Sequence, residues 1–339
     1  MRNLLFLLAG LLVCAAAAHA QGPTGLRADQ LALVINDDEP NSVEIGAYYG
    51  KARDIPARNI IHVRIPGKPR KLSEAQFIEL KQQIDAGLGP HIQAVSMVWT
   101  APYAVECNSI TSAFSLGFDA GLCSAACGPG KPNPYFNSAA RQPLSGAGVR
   151  LSMLMPTESV EQSKALIDRG VLSGFRMPTA TAYYLTTSEA ARNSRARFFP
   201  KAGVLPARKL TVKRLEADSI ENEKDIIVYQ TGMARVAKLD TLQFVPGALA
   251  DSLTSFGGDL LGGGGGSQMS SLRWLEAGAT ASYGTVTEPC NFWQKFPQPA
   301  VLLMQYLSGA TAIEAYWKSV AWPVQGVFIG EALAAPYRK

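Results

Sequence analysis

The side chains of this 339-residue chain that could do chemistry are mostly carboxylates placed just after apolar runs. Asp37, Asp38 and Glu39 follow "LALVIN" (31–36). Glu288 follows "ATASYGTV" (279–286), and Asp259 sits inside a glycine-flanked stretch. Converging carboxylates can bind a hard cation through oxygen, or split their pKa values for acid–base work. If both runs are strands of one parallel sheet, their acids leave its carboxyl edge, where open α/β sheets place their ligand crevices, and face one cleft. The competing reading has Asp37 and Asp38 capping a helix that starts near Ser42 and favouring its positive end.

Nucleophiles are scarcer. Ser252 or Ser255 could attack a carbonyl with a base beside it, and past residue 20 only His62 and His91 could serve. His62 lies in the strand-like run "IIHVRIP" (60–66) and reads as a packed core residue. His91 follows Gly89 and Pro90 and reads as a surface loop residue. Cys290, in "TEPCNF", has no evident base, so a thiolate role is weaker than a structural one.

Beyond Cys14 in the leader, the cysteines are Cys107, Cys123, Cys127 and Cys290. An even number in an exported chain favours disulfides. Zinc asks for about four ligands, and neither histidine is near the Cys-x3-Cys pair, so no metal and no other cofactor is expected. Four thiols allow three pairings. A tight turn closes Cys123 on Cys127. Cys107 and Cys290 each follow a strand of the same sheet, so the expected pairs are Cys123–Cys127 and Cys107–Cys290.

"GGDLLGGGGGSQMSSLRW" (257–274) carries five consecutive glycines, 262–266. A P-loop would need a lysine after them, and a dinucleotide fingerprint would open the first crossover helix. Neither condition holds. The run carries a large ordering entropy, so it reads as mobile, either a flap over a cleft near Glu288 or a plain loop expansion.

The elements that must position these residues alternate. Strand-like runs at 31–36, 60–66, 94–103, 148–157, 180–187, 225–232 and 279–286 are interleaved with helical patterns at 42–53, 73–89, 159–174, 267–278 and about 300–320. "KLTVKRLEA" (209–217) reads as an edge hairpin strand. "LQFVPGALAD" (242–251) is ambiguous, because Pro246 argues against a central strand. The pattern is that of an α/β fold with a mainly parallel open sheet and helices on both faces. Residues 104–147 interrupt it, rich in Cys, Pro and Gly, as a long insertion stapled by disulfides.

Residues 1–20 read as a signal peptide: Arg2, the apolar stretch 4–18, then Ala18-His19-Ala20, with cleavage before Gln21. The rest, 21–339, reads as a single α/β domain in the periplasm or outside the cell, with no further transmembrane segment. A net charge of +5 gives no case for nucleic acid. One segment is strongly basic, with Arg192, Arg195, Arg197, Lys201, Arg208, Lys209, Lys213 and Arg214 and no intervening acid. It is either a solvated face or a patch for an anionic surface polymer.

The order "DIIVYQTG", "FVPGALADSLTSFGG", "SSLRWLEAGATASYGTVTEP", "VLLMQYLSGATAIEAYWKSVAW", "GVFIGEALAAPY", with the opening "LALVINDDEPNSVEIGAYYGKARDIPARNIIHV", resembles an uncharacterised family of exported bacterial proteins. Residues 220–337 are also similar to the gingipain-type cysteine peptidases, which implies a caspase-like fold. Those peptidases carry a histidine after the first of these strands and a cysteine after the next. "YQTGMARV" has no histidine, and "ADSLTSFGG" offers Ser252, Thr254 and Ser255 but no cysteine. The resemblance therefore implies the scaffold without the dyad. The expected function is non-catalytic binding or accessory work, ahead of a hydrolase using carboxylates or a serine, and of an adaptor for an anionic polymer.

Overall fold

The computed structural model describes residues 25–175, 177–262 and 268–338. The expected signal peptide (1–20) and most of the glycine run, whose mobility was expected, lie outside the described residues. The strands are β1 Leu31–Asn36, β2 Ile60–Val63, β3 Lys71–Leu72, β4 Ala94–Val98, β5 Ala104–Val105, β6 Asn108–Ser109, β7 Leu151–Leu154, β8 Ala180–Thr186, β9 Gly203–Leu205, β10 Leu210–Glu216, β11 Ile226–Thr231, β12 Phe244–Ser252, β13 Ala281–Thr285 and β14 Gly326–Gly330. The helices are α1 Pro40–Ala52, α2 Glu74–Ala86, α3 Ile110–Leu116, α4 Gly121–Ser124, α5 Pro143–Ala147, α6 Val160–Ser173, α7 Leu272–Glu276, α8 Pro299–Leu307 and α9 Ala312–Ser319.

Among the described residues eleven strands form one sheet in the order β2-β1-β4-β7-β14-β13-β12-β11-β8-β10-β9. Its pairs are mainly parallel, with β14 antiparallel to β13 and β9 antiparallel to β10. β1, β4, β7, β11, β13 and β14 are buried along their whole length. That is why they read as continuous apolar runs instead of alternating ones: both faces of the sheet are covered. α1 packs on α6 and α8 on α9.

Local signals set the helix ends. Ser73 and Gln76 form a reciprocal capping box at the start of α2, and the Ser159 side chain caps α6. The long helix expected over 300–320 is two helices. Gly309, at φ +95°, breaks the chain, and Thr311 and Glu314 form a new capping box for α9. The helix expected over 267–278 is confined to Leu272–Glu276.

β12 is a central strand despite Pro246. The pairing jumps from Ile226–Phe244 to Val228–Leu249, so Pro246 lies in a bulge where no ladder N–H is needed. Residues 104–147 fold into β5, β6 and three short helices, with β3, β5 and β6 as a small second sheet. This insertion is stapled, but the expected pairing is wrong: the bonds are Cys107–Cys123 and Cys127–Cys290. Asn108 explains the first bond. Its carboxamide donates to the Asp119 carbonyl and accepts from the Asp119 N–H, folding the chain back so that Cys123 meets Cys107.

Candidate functional site

The loops leaving β4, β12 and β13 meet at one edge of the sheet. The Tyr103 hydroxyl, beyond β4, donates to Asp259 Oδ1 at 2.7 Å, beyond β12. The Thr287 hydroxyl, beyond β13, donates to the Cys107 carbonyl at 2.9 Å. Between these loops lies a cleft of about 370 Å³ lined by Arg70, Lys71, Tyr103, Phe256, Asp259, Val286 and Thr287. Tyr103 and Asp259 are buried, whereas Arg70 and Lys71 are exposed on the rim. Burial, and then the Asp259 carboxylate, push the Tyr103 hydroxyl well above its usual range, so it stays a proton donor. Arg70 also donates to the Gly262 carbonyl, which ties the rim to the start of the glycine run.

The carboxylates expected to share one cleft are distributed along the edge. Four strand spacings separate β1 from β13 in the sheet order, about 19 Å at the usual interstrand distance. Asp37 bonds His62 Nδ1 at 2.7 Å and Asp38 accepts from Arg64 at 2.9 Å. Neither caps α1, whose first turn begins with Pro40 after a Glu39 N-cap that makes no side-chain cap bond. Glu39 is buried and accepts from the Thr157 hydroxyl at 2.5 Å. Glu288 accepts from the Cys290 N–H at 2.7 Å and does not line the cleft. Of the expected cleft acids, Asp259 is the one that does.

Ser252 is buried, and its hydroxyl is engaged twice by one residue. It donates to the Met233 carbonyl at 2.7 Å and accepts from the Met233 N–H at 3.0 Å. His62 is not a core residue. β2 is an edge strand, so alternation turns Ile61 and Val63 inward and His62 outward. Six strand spacings, about 29 Å, separate β2 from β12. His91 is exposed, pairs with Asn59 at 3.1 Å and precedes β4, at the other end of the strands. Cys290 is spent in its disulfide. No group of three His, Cys, Asp or Glu among the described residues could hold a metal ion.

The strand ends where a dyad was sought hold a buried ion pair instead. Arg195, from the basic segment, is fully buried and bonds the Asp251 carboxylate and the carbonyls of Thr231, Asp251 and Pro297. Gln230 donates to the other Asp251 oxygen at 2.9 Å. Burial pushes the Asp251 carboxyl up, and Arg195 opposes it. Arg195 is thus no part of a surface patch, and Arg192 pairs with Glu189.

Tyr103, Arg70, Lys71 and Thr287 were not singled out from sequence as site residues. Tyr103 and Thr287 carry a usable signal, since Tyr103 is the last residue of one apolar run, Thr287 follows another, and the two runs end at the same edge.

No family model and no curated protein matches this chain. The structure is similar to the crystal structure of gingipain R, an Arg-specific cysteine proteinase, with a TM-score of 0.45 and 10% identity, over 93% of this chain and 80% of that one. A structure described as a protease matches with a TM-score of 0.42 and 10% identity, over 91% and 78% of the two chains. A complex of the pro- and mature domains of a gingipain from Porphyromonas gingivalis matches with a TM-score of 0.38 and 8% identity, over 90% and 79%.

Proposed function

We propose that this chain is an exported binding or accessory protein that recognises an anionic group of its ligand in the Tyr103–Asp259 cleft. The observation that carries the reading is the division of labour at the sheet edge. Two of the candidate nucleophiles are bound into the framework, Cys290 by a disulfide and Ser252 by both backbone groups of Met233. The cleft next to them stays open, with Arg70 and Lys71 on its rim. Asp259 is engaged by Tyr103, while Lys71 and the Arg70 guanidinium, which also reaches the Gly262 carbonyl, give the rim its positive charge. The two disulfides support an oxidising compartment, and among the described residues no helix is long and apolar enough to cross a membrane.

The test uses the disulfide-bonded protein. Short acidic peptides and acidic oligosaccharides are screened for a rise in thermal midpoint, alongside peptide, ester and glycoside substrates for turnover. The expected result is a midpoint shift lost in the Arg70→Ala, Lys71→Ala double variant, with no turnover. Turnover abolished by Ser252→Ala or Glu288→Gln would overturn it in favour of a hydrolase.

A second reading, an adaptor for an anionic surface polymer, is supported by the exposure of Arg197, Lys201, Lys209 and Arg214 on one stretch of the sheet's β9–β10 side. It predicts polymer binding that weakens steeply with salt and is lost when these four are replaced by Ala, with the cleft variants unaffected.

A further inference from the structure

The turn that follows β12 is held from two sides. The Thr285 hydroxyl, from β13, is shared between the carbonyls of Thr254 at 3.2 Å and Ser255 at 2.8 Å. In a trans peptide the N–H points away from its C=O, so the N–H groups of Ser255 and Phe256 are turned to the other side. Both reach one atom, Oε1 of Gln268, at 2.8 and 3.3 Å, and the Thr254 hydroxyl donates to the same oxygen. Arg192 Nε donates to the Thr254 hydroxyl oxygen at 3.3 Å, which leaves the Thr254 proton for this pocket. Three donors on one point require an oxygen there, because a carboxamide NH₂ accepts nothing.

The turn is packed backbone to backbone against β13. A Cβ on Gly284 would stand 2.3 Å from the Gly257 carbonyl carbon, and one on Gly258 would stand 2.7 Å from the Gly284 carbonyl oxygen. This packing and the Thr285 hydroxyl fix the turn from the β13 side, with its three donors facing Gln268. Gln268 also lines a separate cavity of about 500 Å³ together with Arg235, Lys238, Asp240 and Arg273. Lys238 pairs with Glu221, and Arg273 pairs with Glu276 and Asp240. Arg235 is exposed and has no ion-pair partner among the described residues.

We infer that the Thr254–Phe256 turn is a carboxylate-binding pocket, and that the Gln268 amide oxygen is its built-in stand-in. A ligand carboxylate entering from the cavity replaces the amide oxygen, with its second oxygen facing Arg235. The exchange is favourable in kind: successive backbone N–H groups form anion-binding concavities, and bonds to an ionised acceptor are about twice as strong as bonds to a neutral one. Phe256 also lines the Tyr103–Asp259 cleft, but Gln268 and Arg235 line only the second cavity, so the Gln268 variants separate this pocket from the cleft.

The test is amide-resolved NMR of the full, disulfide-bonded chain with two probes, N-acetyl-trialanine as the free acid and as its C-terminal amide. The acid is expected to move the Ser255 and Phe256 signals, and the amide to leave them in place at equal concentration. Gln268→Ala removes the competitor and should tighten the acid about tenfold, in line with the loss of one set of neutral hydrogen bonds. Gln268→Glu places a tethered carboxylate in the pocket and should abolish binding of the acid. This second variant keeps the test decisive if the alanine variant misfolds. Equal effects of the two probes, an unchanged affinity in Gln268→Ala, or wild-type binding in Gln268→Glu would each overturn the assignment.

Discussion

Lys295 sits where a charge is costly. It is buried, its ammonium donates to the Ala126 carbonyl at 2.6 Å, and it lies against the ring of Phe292. Burial pushes its pKa down from 10.5 to about 8, with Glu288 opposing the shift. The unfolded chain holds this proton up to the higher value, so between the two it binds more protons than the folded chain. Stability from this group therefore rises as the pH climbs from about 8 toward 10.5. We expect denaturant midpoints of Lys295→Met to flatten across pH 8 to 9.5 relative to wild type, with the variant the more stable at pH 7. A steeper rise in the variant would contradict the assignment. The same physics explains Arg195. The sequence offers it as one of eight surface cations, but its guanidinium is the partner that lets Asp251 lie fully buried. Removing one member of such a pair leaves an uncompensated buried charge. His62 shows the reverse error: an apolar neighbourhood in sequence conceals the outward face of an edge strand.

At the scale of elements, the insertion is fastened by one short and one long staple. Cys107–Cys123 spans 16 residues and Cys127–Cys290 spans 163. Chain-entropy estimates give about 3 and about 5 kcal/mol respectively, because the longer loop loses more freedom when closed. The double variant Cys127→Ala, Cys290→Ala should therefore lose more stability in urea than Cys107→Ala, Cys123→Ala. It should also speed hydrogen exchange across 121–136, since Lys295 and Gln325, which both donate to the Ala126 carbonyl, would lose the clamp beside them. Equal losses from the two pairs would show that the staples act through strain or local packing. β12 belongs at this scale too: its proline is acceptable because of a bulge, and a bulge is a property of two strands together.

At the scale of the whole molecule, export should leave a chain that begins at Gln21, checked by intact mass of the secreted product. An N-terminus still carrying residues 1–20 would place the protein on a different route. Much of the architecture was legible in the sequence because it is written in local periodicity. Buried parallel strands are continuous apolar runs, and helix starts carry Ser73 and Ser159 as caps, whereas the break before Thr311 was not read from the pattern. The alternation of the two determines an α/β sheet, and the even cysteines determine that the insertion is stapled. The order of the strands is a matter of non-local pairing, and local pattern does not encode it. That order alone separates Asp37 from Glu288, and His62 from Ser252, by several interstrand spacings. Which sulfurs meet was likewise decided by the fold of the insertion around Asn108, and not by sequence distance. The donor pocket at Thr254–Phe256 depends on a threonine and a glycine in the neighbouring strand, Thr285 and Gly284, so only the packed sheet could create it.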